Sequence, residues 1–171
     1  MNLENIEVKL NTPYPKIENA QEDRTTVSVL KNLLSSRVSE LTGVLQYAFQ
    51  SVVADRTDNE IASILEEISI VEMLHMEKLM HAITDFGGVP RFEDSQGVNF
   101  NSSYVYYSTK LKDMLDANIA GEKRAIEDYT SAIAKVKNES LKNLLKRIIQ
   151  DEELHIKIFK QIKNNVEFLS I

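Results

Sequence analysis

The sequence predicts an all-α protein, a left-handed four-helix bundle made of two antiparallel hairpins joined by one long crossover. Three observations support this fold class. Long stretches of the chain carry apolar residues at every third or fourth position. The 5 glycines and 3 prolines are few among 171 residues, and most lie outside those stretches. The connection between the second and third stretches is long enough to cross the length of a bundle.

Hydrophobic periodicity sets the expected helices. The predicted helices cover 21–54, 59–84, 109–136 and 139–165. Thr57 starts a capping-box pattern that ends at Glu60, so we expect it to be the N-cap of the second helix. Ser108 is the expected N-cap of the third helix, and either Asn138 or Ser140 that of the fourth.

The lengths of the connections determine the expected topology. Only a few residues join the first helix to the second and the third to the fourth, so each pair should form an antiparallel hairpin. The crossover occupies roughly 85–108. We expect residues 1–20, which contain Pro13 and Pro15, to be an N-terminal lead-in, and residues 21–171 to form the bundle domain.

Two short tetrads provide the strongest functional signal in the chain. They read Glu72-Met-Leu-His75 and Glu152-Glu-Leu-His155, and one lies in each half of the sequence. A carboxylate and an imidazole three residues apart lie on one face of a helix, one turn from each other. A single tetrad of this kind is most simply an ordinary set of core residues, but two at matching positions favour a shared site.

A second pair of motifs lies upstream of the tetrads. Glu40 is followed by Tyr47 on the first helix, and Glu122 by Tyr129 on the third, with the same two-turn spacing. The ordered set of Glu, Glu-x-x-His, Glu and Glu-x-x-His is the ligand inventory of a carboxylate-bridged dinuclear metal site in a four-helix bundle. The tyrosines either hydrogen-bond the ligands, or carry a transient oxidising equivalent, or are core aromatics.

The polar residues of these motifs interrupt apolar seams. The seam of the second helix is Ile61, Leu65, Ile68, Glu72, His75, Leu79 and Ala82, and that of the fourth is Leu141, Leu145, Ile148, Glu152, His155, Phe159 and Ile162. The first helix contributes Leu30, Leu33, Arg37, Glu40, Val44 and Tyr47, and the third Leu115, Ile119, Glu122, Ile126, Tyr129 and Ile133. Burying ionised carboxylates without partners is costly, and two divalent cations would cancel the charge of four glutamates.

Composition excludes several other classes of function. The net charge of −6 and the lack of a basic stripe argue against nucleic acid as a partner. No apolar run reaches the ~18 residues that a membrane span needs. The N-terminus lacks the pattern of a signal peptide, so we expect a cytoplasmic protein. The absence of cysteine excludes a thiol nucleophile, iron–sulfur ligation and a Cys₄ iron centre.

Four segments of the sequence resemble the ferritin-like family of dinuclear carboxylate proteins, which includes bacterioferritin, rubrerythrin and manganese catalase. The segments are Ser39-Glu-Leu-Thr-Gly-Val-Leu-Gln-Tyr47, Glu72-Met-Leu-His75, Gly87-Gly-Val-Pro90 and Asp151-Glu-Glu-Leu-His155. The resemblance covers nearly all of 25–165. It implies the following roles in holding two metal ions: Glu40 and Glu122 each bind one, Glu72 and Glu152 bridge both, and His75 and His155 each cap one.

The resemblance also sets the functional expectation, a non-haem dinuclear metal oxidoreductase. The expected cofactor is a pair of metal ions, iron foremost and manganese as the alternative, and the oxidant is hydrogen peroxide or O₂ in peroxidase or ferroxidase chemistry. A bacterioferritin-like iron-storage protein is the first alternative and a manganese catalase the second. The ligands alone do not choose between iron and manganese.

Three further expectations concern haem, electron supply and assembly. Met73 stands where bacterioferritins carry a haem-binding methionine, but an ordinary core or interface side chain is the simpler interpretation. The chain has no Cys₄ module, so rubrerythrin-type peroxidase activity would require an external electron donor. Ile64 and Val71 are predicted to lie, with Leu74 and Ile156, on outer helix faces, so we expect a homodimer or larger homo-oligomer through the first two helices.

Overall fold

The structure, a computed structural model, describes residues 6–168, and it is helical through most of this range. The helices are α1 (Arg24–Ser35), α2 (Glu40–Ala54), α3 (Asn59–Asp85), α4 (Leu111–Lys135) and α5 (Glu139–Phe168), with one turn of 3₁₀ helix at Ser102–Tyr104. Strands are absent from the described range, where Glu93 and Asn99 form an isolated antiparallel bridge. The predicted all-α four-helix bundle is confirmed, with α1 and α2 together in place of its first helix.

The prediction of one continuous helix over 21–54 is wrong, because the chain leaves helical geometry between α1 and α2. Ser39 is the N-cap of α2, where its side chain accepts a hydrogen bond from the backbone N–H of Thr42. The Thr42 hydroxyl in turn lies 3.3 Å from the carbonyl of Ser36 and 3.2 Å from that of Arg37. Side chains of this kind compete with the helical backbone for its hydrogen bonds. As a result, Glu40 is the first residue of α2.

The other predicted helix boundaries are close, but two of the N-caps differ. Asp58, not Thr57, caps α3, because its carboxylate reaches the first free N–H groups of the helix at 3.0 Å. Helix α4 begins after Lys110 rather than after Ser108, and it has no side-chain cap. Asn138, one of the two predicted alternatives, caps α5. Its side-chain oxygen accepts a 2.9 Å hydrogen bond from the backbone N–H of Leu141.

Two apolar clusters fill the core on either side of the middle of the bundle. One contains Leu30, Leu34, Leu79, Ile83, Tyr129, Leu141, Leu145 and Ile148. The other contains Tyr47, Ile61, Leu65, Ile68, Leu115, Phe159 and Ile162. The predicted seams of the second and fourth helices are buried along their whole length. On α4, in contrast, Ile119 is only partly buried, and the adjacent Asn118 is fully buried.

The prediction that Ile64 and Val71 lie on an outer face is wrong, since they are only 5% and 4% exposed. Both α1 and α2 pack on α3, so its buried arc is wider than a single seam. Leu74 and Ile156 are partly buried. No helix in residues 6–168 combines the length and the apolar character needed to cross a membrane.

Residues 6–23, which we call the N-terminal strap, run antiparallel along α5. The backbone N–H of Glu18 donates to the hydroxyl of Ser140, and that of Leu10 donates to the carboxylate of Asp151. The Val8 carbonyl lies still further along the same helix, at His155. This path brings the strap across the middle of the bundle.

Candidate metal centre

The six predicted ligands meet in the middle of the bundle, between the two apolar clusters. Each comes from a different turn of α2, α3, α4 or α5, and none is more than 4% exposed. They are Glu40, Glu72, His75, Glu122, Glu152 and His155. The periodicity of the seams therefore placed these side chains on the inner face of each helix.

The six side chains form two overlapping groups of four. The first group contains Glu40 and His75, the second contains Glu122 and His155, and both contain Glu72 and Glu152. In each group, one donor atom from every residue lies within 4.8 Å of the others. Two adjacent sets of donors that share two carboxylates form the arrangement in which a pair of cations is bridged.

His75 is oriented by contacts on both of its ring nitrogens. Its Nδ1 faces the cluster, 3.2 Å from Glu152 and 3.5 Å from Glu40. Its Nε2 faces the strap side, 3.2 Å from Oδ2 of Asp151 and 3.1 Å from the hydroxyl of Tyr14. When the Nε2–H group donates a hydrogen bond to Asp151, Nδ1 presents its lone pair to the cluster.

His155 has the same orientation with a different outer partner. Its Nδ1 lies 3.0 Å from Glu72 and 3.1 Å from Glu152. Its Nε2 lies 3.0 Å from the carbonyl oxygen of Val8 in the strap, which can only accept a hydrogen bond. This contact therefore fixes the tautomer in which Nδ1 is free to bind a cation.

Two buried tyrosines hold the remaining carboxylates across the bundle. The hydroxyl of Tyr47 on α2 donates to Glu122 on α4, and the hydroxyl of Tyr129 on α4 donates to Glu40 on α2. Burial, together with the nearby carboxylates, raises the pKa of both phenols well above the usual value. They are therefore protonated and act as donors, each using one oxygen of its glutamate.

Sequence reasoning did not identify the support behind His75. Asp151 is fully buried and also accepts hydrogen bonds from Tyr14 at 2.6 Å and from the N–H of Leu10 at 2.9 Å. Arg147 lies 2.8 Å from the same carboxylate, with its guanidinium over the ring of Tyr14. The position of Asp151, directly before Glu152, was a signal in the sequence, whereas nothing local linked Tyr14 to the cluster.

Met73 and Arg37 lie outside the cluster. Met73 is 48% exposed on the outer face of α3, so the prediction of a core side chain is wrong, and an interface role and haem binding both stay predictions. Arg37 is exposed in the break between α1 and α2, and its guanidinium lies over the ring of Tyr104, 5.8 Å from the centroid. Arg37 therefore does not steady a ligand of the cluster.

The chemistry of the cluster fits a pair of cations. Four buried atoms in it have no hydrogen-bond partner, namely Glu40 Oε2, Glu72 Oε1, Glu152 Oε1 and His75 Nδ1. Buried polar atoms are otherwise almost always paired, and leaving one unpaired costs ~1–3 kcal/mol. These atoms come from four residues of one cluster, and carboxylate oxygens with imidazole nitrogens suit iron and manganese.

Without cations, the cluster must retain protons. Burial and repulsion from Glu72 raise the pKa of Glu40 well above the usual value and that of Glu122 to about 8. Burial lowers the pKa of His75 and His155, but the surrounding carboxylates outweigh it and raise both well above the usual value. For Glu72, hydrogen bonds from the two histidines outweigh burial and lower the pKa.

These shifts predict that the metal-free protein loses stability as pH rises from about 5 to about 8. In that range the folded state retains protons on Glu122 and Glu40 that the unfolded chain has released, so the free energy of unfolding must fall with pH. The lowered pKa values of Glu72 and Asp151 make stability rise with pH, but only at pH values below the ordinary pKa of a carboxyl group. We expect the free energy of unfolding to decrease by roughly 2–4 kcal/mol between pH 5 and pH 8, measured by urea unfolding of chelator-treated protein.

A matched pair of variants assigns this effect to the cluster. Glu122→Gln removes a raised pKa and should make the dependence on pH shallower. Glu127→Gln, at an exposed position on the same helix, should leave it unchanged. A stability that is flat or rises between pH 5 and 8 in the metal-free protein would contradict the predicted proton sharing.

Comparison with known proteins agrees with the fold and with a family that has dinuclear metal sites. The family model described as rubrerythrin matches residues 31–163. The bacterioferritin of Desulfovibrio desulfuricans is 28% identical over 154 residues, which cover 87% of this chain and 81% of that protein. Its crystal structure, which is described with a diiron site, has a TM-score of 0.74 at 25% identity and covers 86% of this chain and 84% of that chain.

A second solved structure extends the structural likeness. A manganese catalase from Anabaena PCC7120 has a TM-score of 0.81 at 24% identity, over 92% of this chain and 80% of that one. Likeness at this identity shows the fold alone. The match to the rubrerythrin family model, in contrast, covers most of the sequence. The chain therefore belongs to the rubrerythrin family, within the ferritin-like dinuclear superfamily that the motifs indicated.

Proposed function

We propose that the cluster binds two metal ions, iron foremost, and that the protein is a redox enzyme that reacts with hydrogen peroxide or O₂. The observation that carries this proposal is the pair of four-residue groups that share Glu72 and Glu152. In this arrangement Glu40 and His75 would hold one ion, Glu122 and His155 the other, and the shared carboxylates both. With neutral imidazoles, two divalent cations cancel the charge of the four glutamates.

The chain's own residues prepare the site for this role. Tyr129 occupies Oε1 of Glu40 and leaves Oε2, which has no other partner, directed into the cluster. The two imidazoles are held with Nδ1 inward by Asp151 and by the carbonyl of Val8. The apolar clusters above and below exclude water, which strengthens every electrostatic interaction in between. Two redox-active ions would supply the electrons that reduce the oxygen–oxygen bond of the oxidant.

Relatives support different versions of this chemistry. The bacterioferritin of Desulfovibrio desulfuricans, with its diiron site, favours iron and ferroxidase or storage function. The manganese catalase of Anabaena favours manganese, although it is less than 25% identical. Because the chain has no cysteine, electrons must come from Fe²⁺ itself, from a second peroxide molecule or from an external donor. The predicted cytoplasmic location belongs to the same proposal.

Metal binding should raise the melting temperature of the protein substantially. Ions that bind the folded state and not the unfolded chain stabilise it by ~2.7 kcal/mol at one hundred times the dissociation constant, which corresponds to roughly 5–10 °C. Glu72→Gln, which removes a shared carboxylate, should abolish most of that shift, while Glu67→Gln on the exposed face of α3 should preserve it. Scanning calorimetry with Fe²⁺ or Mn²⁺ under anaerobic conditions measures the melting temperature of each protein, and elemental analysis measures its metal content. Equal melting of metal-free and metal-treated wild-type protein would refute a core metal site.

The stoichiometry of peroxide consumption separates the candidate activities. When peroxide is added anaerobically to protein loaded with Fe²⁺, ferroxidase or peroxidase chemistry should oxidise two irons per peroxide and release no O₂. Sustained release of O₂ by manganese-loaded protein would instead identify a catalase. If every metal loading leaves peroxide and O₂ unchanged while the ions remain bound, the site is structural and the proposed redox function is wrong.

We also propose that the protein forms at least a homodimer through α2 and α3. Leu45 and Val52 on α2, and Ile70 and Met73 on α3, are 42–70% exposed and give these helices an apolar outer surface. We expect light scattering at micromolar concentration to give at least twice the mass of one chain. Val52→Glu together with Ile70→Glu should shift the protein towards monomer, and a wild-type monomer would contradict this assembly.

A further inference from the structure

The carboxylate cluster faces a cavity that is much larger than the oxidant requires. The cavity lies between α2 and α4 beside the crossover segment and has a volume of about 460 Å³. Glu40, Glu72, Glu122 and Glu152 line its inner end. Two ions and two waters, at ~30 Å³ each, would take up only about a quarter of this space. The volume falls instead in the range of ~300–1,000 Å³ that is typical of pockets for small organic molecules.

The wall of the cavity that α4 forms contains a run of small side chains, namely Ala117, Ala120, Gly121 and Ala125. The lining also includes the apolar Leu33 and Val38, with Tyr104 and Tyr106 from the crossover. The packing of the helices explains the space, because the close pairs are α2 with α3 and α4 with α5. Gln46 and Gln50 reach across to Asn118 and join α2 to α4 through a buried hydrogen-bonded amide group. This amide group and the crossover therefore hold α2 and α4 in place on either side of the cavity.

Gly121 is the lining residue that argues most directly for a ligand in this space. It lies within α4, where glycine destabilises a helix by ~1 kcal/mol relative to alanine. A Cβ atom at this position would have no described neighbour within 4 Å. In contrast, a Cβ at Gly43 on the opposite wall would lie 3.2 Å from Glu72 Cγ, so that glycine makes room for a carboxylate of the cluster. Nothing within the described chain requires the space at Gly121.

The outer end of the cavity carries an available positive charge. Arg124 lines it but forms ion pairs with Glu127 and Asp128 at 3.2 and 3.3 Å. Arg37 also lines it, and among the side chains of residues 6–166 no carboxylate pairs with its guanidinium, which lies over the ring of Tyr104. An anionic group at the entrance would therefore meet an unpaired arginine fixed against an aromatic ring.

From these observations we propose that the cleft between α2 and α4 binds a small organic monocarboxylate beside the same centre. Its apolar body lies along the small residues of α4, and its carboxylate pairs with Arg37 at the entrance. The end of the molecule remote from the carboxylate then lies beside the glutamates of the cluster. This inference rests on the proposed function, because it places the bound molecule next to the proposed pair of ions.

Isothermal titration calorimetry of metal-loaded full-length protein tests the proposal, with octanoate, 1-octanol and octylamine as probes. Octanoate should bind more tightly than either of the other two. Arg37→Gln should weaken octanoate about fivefold, the scale of an exposed ion pair, and leave 1-octanol unchanged. Gly121→Leu should weaken octanoate and 1-octanol at least ~10-fold, because its side chain occupies the space of the ligand body. Ala117→Leu fills the same cavity from another position and replaces Gly121→Leu if that variant does not fold.

The outcomes separate this proposal from the metal site. Metal content and melting temperature are measured on the same samples, and both filling variants should retain bound metal because neither residue belongs to the cluster. Protein that binds metal but not octanoate at millimolar concentration overturns the cleft proposal and leaves the proposed function standing. Octanoate binding that neither filling variant weakens also overturns it, as does octylamine binding as tight as octanoate. Octanoate binding with no metal bound under any condition refutes the proposed function and with it the placement of the ligand beside a pair of ions.

Discussion

The burial of four carboxylates and two imidazoles in one layer of an apolar bundle is the constraint on which the rest of the structure depends. An ionised carboxylate taken out of water without a partner costs several kcal/mol, and the glutamates also repel one another. The chain offsets this cost locally, with a tyrosine on Glu40, another on Glu122 and histidines beside Glu72. Four atoms still have no hydrogen-bond partner. The buried carboxylates are therefore fully compensated only when positive charge, as protons or as metal ions, is added to the cluster.

The two halves of the cluster are similar in their ligands but different in their support. His75 donates to Asp151, a buried carboxylate held by Tyr14 and Arg147, whereas His155 donates to the neutral carbonyl of Val8. A carboxylate partner makes an imidazole a stronger base than a carbonyl does. In the proposed metal centre, His75 would therefore be the stronger of the two imidazole ligands. The strap contributes to both partnerships, because Leu10 and Tyr14 donate to Asp151 and the Val8 carbonyl lies at His155.

The sequence predicted the parts of this arrangement that repeat along a helix. Glu72 and His75 fall in the apolar seam of α3, and Glu152 and His155 in that of α5, so a period of 3.6 residues was sufficient to orient them. The break after Ser35 was not predicted, because apolar residues keep their spacing on both sides of it, and serine and threonine hydrogen bonds set it instead. The partnership between Tyr14 and Asp151 joins residues far apart in the chain, and no periodic pattern reports such a contact. Asn118 was missed because a buried amide departs from an apolar seam, and its partners Gln46 and Gln50 lie on another helix.

Access to the cluster differs sharply from one side to another. Apolar layers lie above and below it, and the strap covers the two histidines. On the side between α2 and α4, the glutamates face a cavity whose α4 wall has small side chains. Filling that side with larger apolar residues would add buried surface at ~25 cal/mol per Å², and replacing Gly121 would also favour the helix. The chain forgoes this stability where the carboxylates face the cavity. The stability of the bundle therefore does not account for the open side, which the proposed access of small molecules to the cluster would explain.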